Sequence, residues 1–230
     1  MTEETKLFAE DSMLPPPMSS ELLGVIKNIA PVKTRRPVLQ WMIFLAVALI
    51  TGAVFVKIYG FRKNISQVNT IWIVGAAVFW AMGAFGLSKI ALVPNKGKVL
   101  PPFKQCLYIA LGFSALAVVF GFIAPKIFNL PFSDESNLDF AIKYGRLCFS
   151  KGLMIALIPT VAGLLLLRKT APLHSKKLAF CIGAIGGGMA GLALHFQCIL
   201  NGSLHLSLAH GLVIVVTGVL AVLGSKILVP

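Results

Sequence analysis

The chain has 230 residues, of which 57% are hydrophobic and 13% charged, with a mean hydropathy of +0.86 and a formal net charge of +13. So few charges among so many apolar residues exclude a soluble enzyme or a soluble binding module. The positive charge does not point to nucleic acid, because the lysines and arginines flank apolar runs instead of gathering on one soluble face, and no direct nucleic-acid contact is expected.

Two regions follow from the order of residues, a tail over 1–37 and a membrane domain over 38–230. The tail opens acidic and then turns Pro-rich at Leu14-Pro-Pro-Pro-Met18, a flexible lead-in. No secretory signal is expected there. Ser19 or Ser20 can cap a short helix whose apolar face is Leu22, Leu23, Ile26 and Ile29. Pro31 stops it, and Lys33, Arg35, Arg36 and Pro37 lead to the membrane. Such an amphipathic segment either lies in the lipid interface or offers its apolar face, with the basic residues, to a cytoplasmic partner.

Six uncharged runs of membrane-spanning length come next: Val38–Val56, Ile71–Ser88, Leu107–Ala124, Leu147–Leu167, Leu178–Leu200 and Leu206–Ser225. A single charge, Lys151, falls inside them, near the start of the fourth, where it can snorkel to the interface. The runs do not alternate in polarity, which excludes a β-barrel. The expected fold is all-α, a six-helix transmembrane bundle with a short cytoplasmic N-terminal amphipathic segment. Gly75, Gly83 and Gly86 in the second span, and Gly183, Gly187 and Gly191 in the fifth, read as positions of close helix packing. The longest connection, Pro125–Arg146, holds Asp134, Glu135 and Asp139, read as a solvated loop.

Charge sets the orientation. The tail, the loops after the second and fourth spans, and Lys226 hold 14 of the 21 basic residues, whereas the opposite face holds six. The positive-inside rule then puts both termini in the cytoplasm.

Four cysteines without a C-x-x-C make neither a disulfide framework nor a zinc module. Cys106 and Cys181 fall at the cytoplasmic ends of their spans. Cys148 lies 20 residues before Arg168, and Cys198 lies 20 residues after Leu178, on the two arms of a hairpin turned by the basic loop RKTAPLHSKK. At about 1.5 Å per residue each arm is roughly 30 Å long, one bilayer core, so both thiols emerge at one height on the face opposite that loop. His195, Gln197, Asn201, His205 and His210 gather at the same depth. Polar groups collected in so apolar a chain mark a functional site, here a redox or metal-sensing pair, Cys148 and Cys198, with His195 and His210 as candidate metal ligands. No resident cofactor is expected beyond a transient heavy-metal ion. A small membrane transporter or a thiol-dependent membrane oxidoreductase is the alternative. An interior with almost no ionisable path argues against the first, and the missing C-x-x-C against the second.

The stretch GRLCFSKGLMIALIPTVAGLLLLRKTAPLHSKKLAFCIGAIGGGMAGLALHFQCILNGSLHLSLAHG (Gly145–Gly211) resembles the NrsF family of bacterial membrane-bound anti-sigma factors. The resemblance is carried by Cys148, Pro159, Arg168 with Ala171-Pro172, the small-residue run, Cys198 and the His210-Gly211 pair. The tail segment ELLGVIKNIAPVKTRRP is also similar to that family's short cytoplasmic segment. The resemblance implies a protein of the bacterial inner membrane that is not an enzyme. It would hold an extracytoplasmic-function sigma factor away from RNA polymerase until oxidative or heavy-metal stress, sensed through Cys148 and Cys198, releases it.

Overall fold

The structure, a computed structural model, describes residues 36–94, 102–130, 138–168 and 175–228. Six long helices occupy them: α1 (Pro37–Tyr59), α2 (Thr70–Leu92), α3 (Phe103–Ile127), α4 (Leu138–Leu167), α5 (Ser175–Gln197) and α6 (Leu212–Leu228). A π-helical segment, His205–Gly211, runs directly into α6, and a 3-10 turn, Ile65–Gln67, precedes α2. No strand occurs among the described residues. All six helices, the last counted with its π-helical lead-in, are long and apolar enough to cross a membrane. In lipid only a helix satisfies its own backbone within one segment, so uncharged runs of this length have no other stable form. The protein is an all-α six-helix bundle of the multi-pass membrane type.

Local signals set the helix ends. Pro37 opens α1, where its missing N–H costs nothing. Gly60 closes it with a φ of +83°, donating its N–H to Val56 O at 2.8 Å. The Asn69 side chain caps α2 by accepting from the Ile71 N–H at 2.8 Å.

The fifth span is the centre of the bundle. Its window is 89% buried, against 22% for the first span and 28% for the second. Glycine makes this position accessible, because neighbours approach the α5 backbone itself. A methyl at Gly183 would meet the Thr217 carbonyl of α6, and one at Gly187 would lie 2.5 Å from the Ile214 Cα. Gly186 faces Thr160 and Ala156 of α4, and Gly191 faces the Trp80 ring of α2. Thr217 Oγ1 donates to Gly183 O at 2.8 Å across the α5–α6 contact. The close packing read from the glycine spacing therefore serves three neighbours rather than one stripe. In α2 the reading holds for Gly83, which abuts Phe113, but Gly75 and Gly86 have no neighbouring atom within 4 Å.

The connection read over Pro125–Arg146 is shorter than expected. Pro125 lies inside α3, which continues to Ile127, and α4 already begins at Leu138. Helices extend past the hydrocarbon into the interface, where Lys143 and Arg146 are tolerated, so an apolar-run criterion trims them. Conversely α5 stops at Gln197 rather than Leu200, leaving Cys198 on the turn that follows. At the Arg168 end, Trp41 Nε1 donates to Ser88 Oγ at 2.9 Å and Gln40 Nε2 to Leu166 O at 3.3 Å, tying α1 to α2 and α4.

Candidate functional site

The end of the bundle opposite Arg168 holds a cluster of thiols and imidazoles. Cys148 is half-buried on α4, and Cys198 is buried at the first residue after α5, its N–H donating to Leu194 O at 2.7 Å. The two arms bring the sulfurs to 3.4 Å, a hydrogen-bond contact between free thiols. Cys198 Sγ also lies 3.1 Å from His205 Nε2. His210 completes the group: one ligand atom from each of Cys148, Cys198, His205 and His210 falls within 4.8 Å of all the others.

The π-helical segment is what places two histidines in one site. In an α-helix, residues five apart are rotated by roughly 140°, at about 100° per residue, and face different neighbours. The wider i→i+5 turn brings such residues back toward one face. Here the His205 and His210 rings sit 5.4 Å apart. Helix α3 pins the segment. Ser207 Oγ donates to Val118 O at 2.9 Å, while Gly121 packs on the Ser207 backbone and Gly211 on that of Val118.

A buried arginine frames the cluster from the loop after α1. Arg62 is 3% exposed, and its backbone N–H donates to Phe196 O at 2.9 Å. Its guanidinium donates to Asn64 Oδ1 at 3.0 Å, His195 O at 3.3 Å and Asn201 Oδ1 at 3.0 Å. Asn64 Nδ2 reaches Ile199 O at 3.1 Å. These bonds clamp the turn that carries Cys198, and the cation sits on the carbonyl end of α5, where the helix dipole is negative. Burial pulls the Arg62 guanidinium below its ordinary value, and charge on Cys198 opposes that pull. The hydrogen bond with Cys148, followed by burial, pushes the Cys198 thiol well up.

The family model described as negative regulator of sigma F, NrsF, matches residues 26–229. The chain belongs to this family. The description names regulation of a sigma factor, not catalysis, and makes a sigma factor the expected partner. Neither the curated proteins nor the solved structures contain a match.

In this NrsF-family chain the structure brings together three of the four residues singled out at this end, Cys148, Cys198 and His210. His195 stands apart. Its Nε2 lies 3.0 Å from Ile73 O, and its ring meets the edge of Trp72 at 5.7 Å, so it braces α5 against α2. His205 takes its place in the cluster, and only the π turn reveals that. Arg62 and Asn64 were legible merely as polar loop residues. Lys151 has its Nζ 4.4 Å from the centroid of the Tyr59 ring, so a cation–π contact takes up its charge. At the far end Cys106 on α3 and Cys181 on α5 are both buried free thiols. The tail residues Leu22, Leu23, Ile26, Ile29, Lys33 and Arg35 lie outside the described residues, as do Asp134 and Glu135; Arg36 is exposed at the start of α1.

A cavity of about 230 Å³ is lined by Tyr144, Cys148, Lys151, Gln197 and Cys198, so both cysteines border a space that a small reagent can fill. Two chemistries suit such a site: closure of a disulfide, or ligation of a soft cation by sulfur and nitrogen.

Proposed function

We propose that this protein is a membrane-embedded anti-sigma factor that holds an extracytoplasmic-function sigma factor at the bacterial inner membrane and releases it under oxidative or heavy-metal stress. Family membership supports the sigma-factor partner. The observation that carries the sensing role is the 3.4 Å contact between the Cys148 and Cys198 sulfurs, beside a cavity and at the end of the bundle away from Arg168. Both termini are cytoplasmic in this reading, as the distribution of basic residues favours, which turns the thiol pair toward the oxidising side.

The tail, through Leu22, Leu23, Ile26, Ile29, Lys33, Arg35 and Arg36, is the segment that grips the sigma factor. A peroxide-class oxidant takes two electrons and two protons from the pair and leaves as water, and the sulfurs close from contact to a covalent bond of about 2.05 Å. That contraction alters how α4 and α5 pack at one end, and the hairpin transmits it to the basic loop at the other. A differential of about 3 kcal/mol between two packings changes their ratio by roughly a hundredfold, enough for a switch.

The partner is tested by purifying the detergent-solubilised protein from its own host and identifying what travels with it. A sigma factor that co-purifies from unstressed cells and is lost after oxidant or cadmium treatment is the expected result. Its absence in unstressed cells contradicts the reading.

A further inference from the structure

The cluster contains more donor atoms than a disulfide switch requires. Two sulfurs suffice for oxidation, yet two histidines are also buried against them, at 4% and 2% exposure. Hydrogen bonding accounts for only part of each ring: His205 Nε2 meets Cys198 Sγ at 3.1 Å, but His205 Nδ1 and His210 Nε2 are buried without a protein partner. Buried imidazole nitrogens without partners are costly, and so is the π turn that aims both rings at one point.

We propose that Cys148, Cys198, His205 and His210 form a closed four-ligand centre for a borderline-soft divalent cation of the zinc class. The proposal deepens the thiol-sensor reading by giving the same two cysteines a resident ligand, and to that extent rests on it.

The donor set selects the metal. Two sulfurs and two imidazole nitrogens, with no carboxylate in the group among the described residues, suit zinc and its softer congener cadmium better than magnesium or calcium. The spacing fits as well. A tetrahedral ion at about 2.3 Å from sulfur and about 2.0 Å from nitrogen needs its ligand atoms roughly 3.3–3.8 Å apart. The sulfur–sulfur contact of 3.4 Å and the sulfur–nitrogen contact of 3.1 Å lie close to that range, and the widest pair, within 4.8 Å, closes by small side-chain rotations.

Charge favours the same composition. A doubly charged cation bound by two thiolates and two neutral imidazoles is neutral overall, which suits a buried site beside lipid better than four thiolates would. Binding releases the two thiol protons. The cavity that both cysteines border gives the ion a way in, and Arg62 with Asn201 holds the turn between Cys198 and His205 in place.

The test uses the full-length protein in detergent, reduced, stripped with a chelator and titrated with Co2+ as an optical probe. One ion per chain, with thiolate-to-cobalt charge-transfer absorption and the visible bands of tetrahedral cobalt, is expected, and equimolar Zn2+ should erase both. His205→Ala and His210→Ala should each weaken Co2+ binding by at least about tenfold, while His205→Cys, which keeps four soft ligands, restores it. Tryptophan emission and elution volume check that each variant is folded. Folded protein without the charge-transfer band, or alanine variants that both bind Co2+ as tightly as the unmodified protein, overturns the centre. Protein that binds no Co2+ yet loses two hydrogens by mass on oxidation sinks the metal centre and leaves the thiol switch standing.

Discussion

Arg62 shows how much one side chain contributes here. It is a buried cation whose hydrogen-bond partners are carbonyl groups and Asn64, and it links the loop after α1 to the end of α5 and to Asn201. Arg62→Ala removes three side-chain hydrogen bonds and leaves the carbonyl end of α5 without its cation. The expected loss is about 1–3 kcal/mol, read as a lower Tm in detergent. Arg62→Lys should recover only part of it, because a compact ammonium cannot reproduce the planar fork. A Tm unchanged in Arg62→Ala contradicts the clamp. In the sequence Arg62 looked like one more charge in a short outer loop, since nothing local records that two of its three partners stand more than 130 residues away. His205 was placed at the right depth but not among the candidate ligands, because spacing of H-x4-H suggests a shared site only if the backbone leaves α geometry, and π turns have no sequence signature of their own.

The helices themselves were far more legible. Uncharged runs of bilayer length have one stable conformation in lipid, so six spans could be placed from composition, with errors at the ends, where Lys143 and Arg146 extend α4 past the apolar core and α5 stops at Gln197 short of Leu200. Glycine roles were legible in part. Spacing identified Gly183 and Gly187 as contact positions, but it could not separate Gly83, pressed on Phe113, from Gly75, which touches nothing. The two cases predict opposite results. Gly183→Ala forces a methyl into the Thr217 carbonyl of α6 and should cost about 1–3 kcal/mol of overpacking. Gly75→Ala should be neutral or stabilising by up to about 1 kcal/mol, through helix propensity alone. Thermal unfolding of both variants in the same detergent checks this, and equal effects would contradict the packing described for α5.

Within the bundle, α4 and α5 form a hairpin with the thiol and imidazole cluster at one end and Arg168, Lys176 and Lys177 at the other. Helix α5 spans that distance and is buried along most of its length, so a change at Cys198 cannot be absorbed locally by lipid. Densely packed helices shift as units, so in the proposed switch this one carries the change between the two faces. The height of the two cysteines followed from arm lengths alone, whereas their pairing with two histidines required the folded chain. The most direct measurement is sigma-dependent transcription in the native host carrying Cys148→Ser and Cys198→Ser together, before and after exposure to peroxide or cadmium. Transcription that stays low under stress, with the protein still in the membrane, is the result this account predicts. Induction equal to that of the unmodified protein would contradict it.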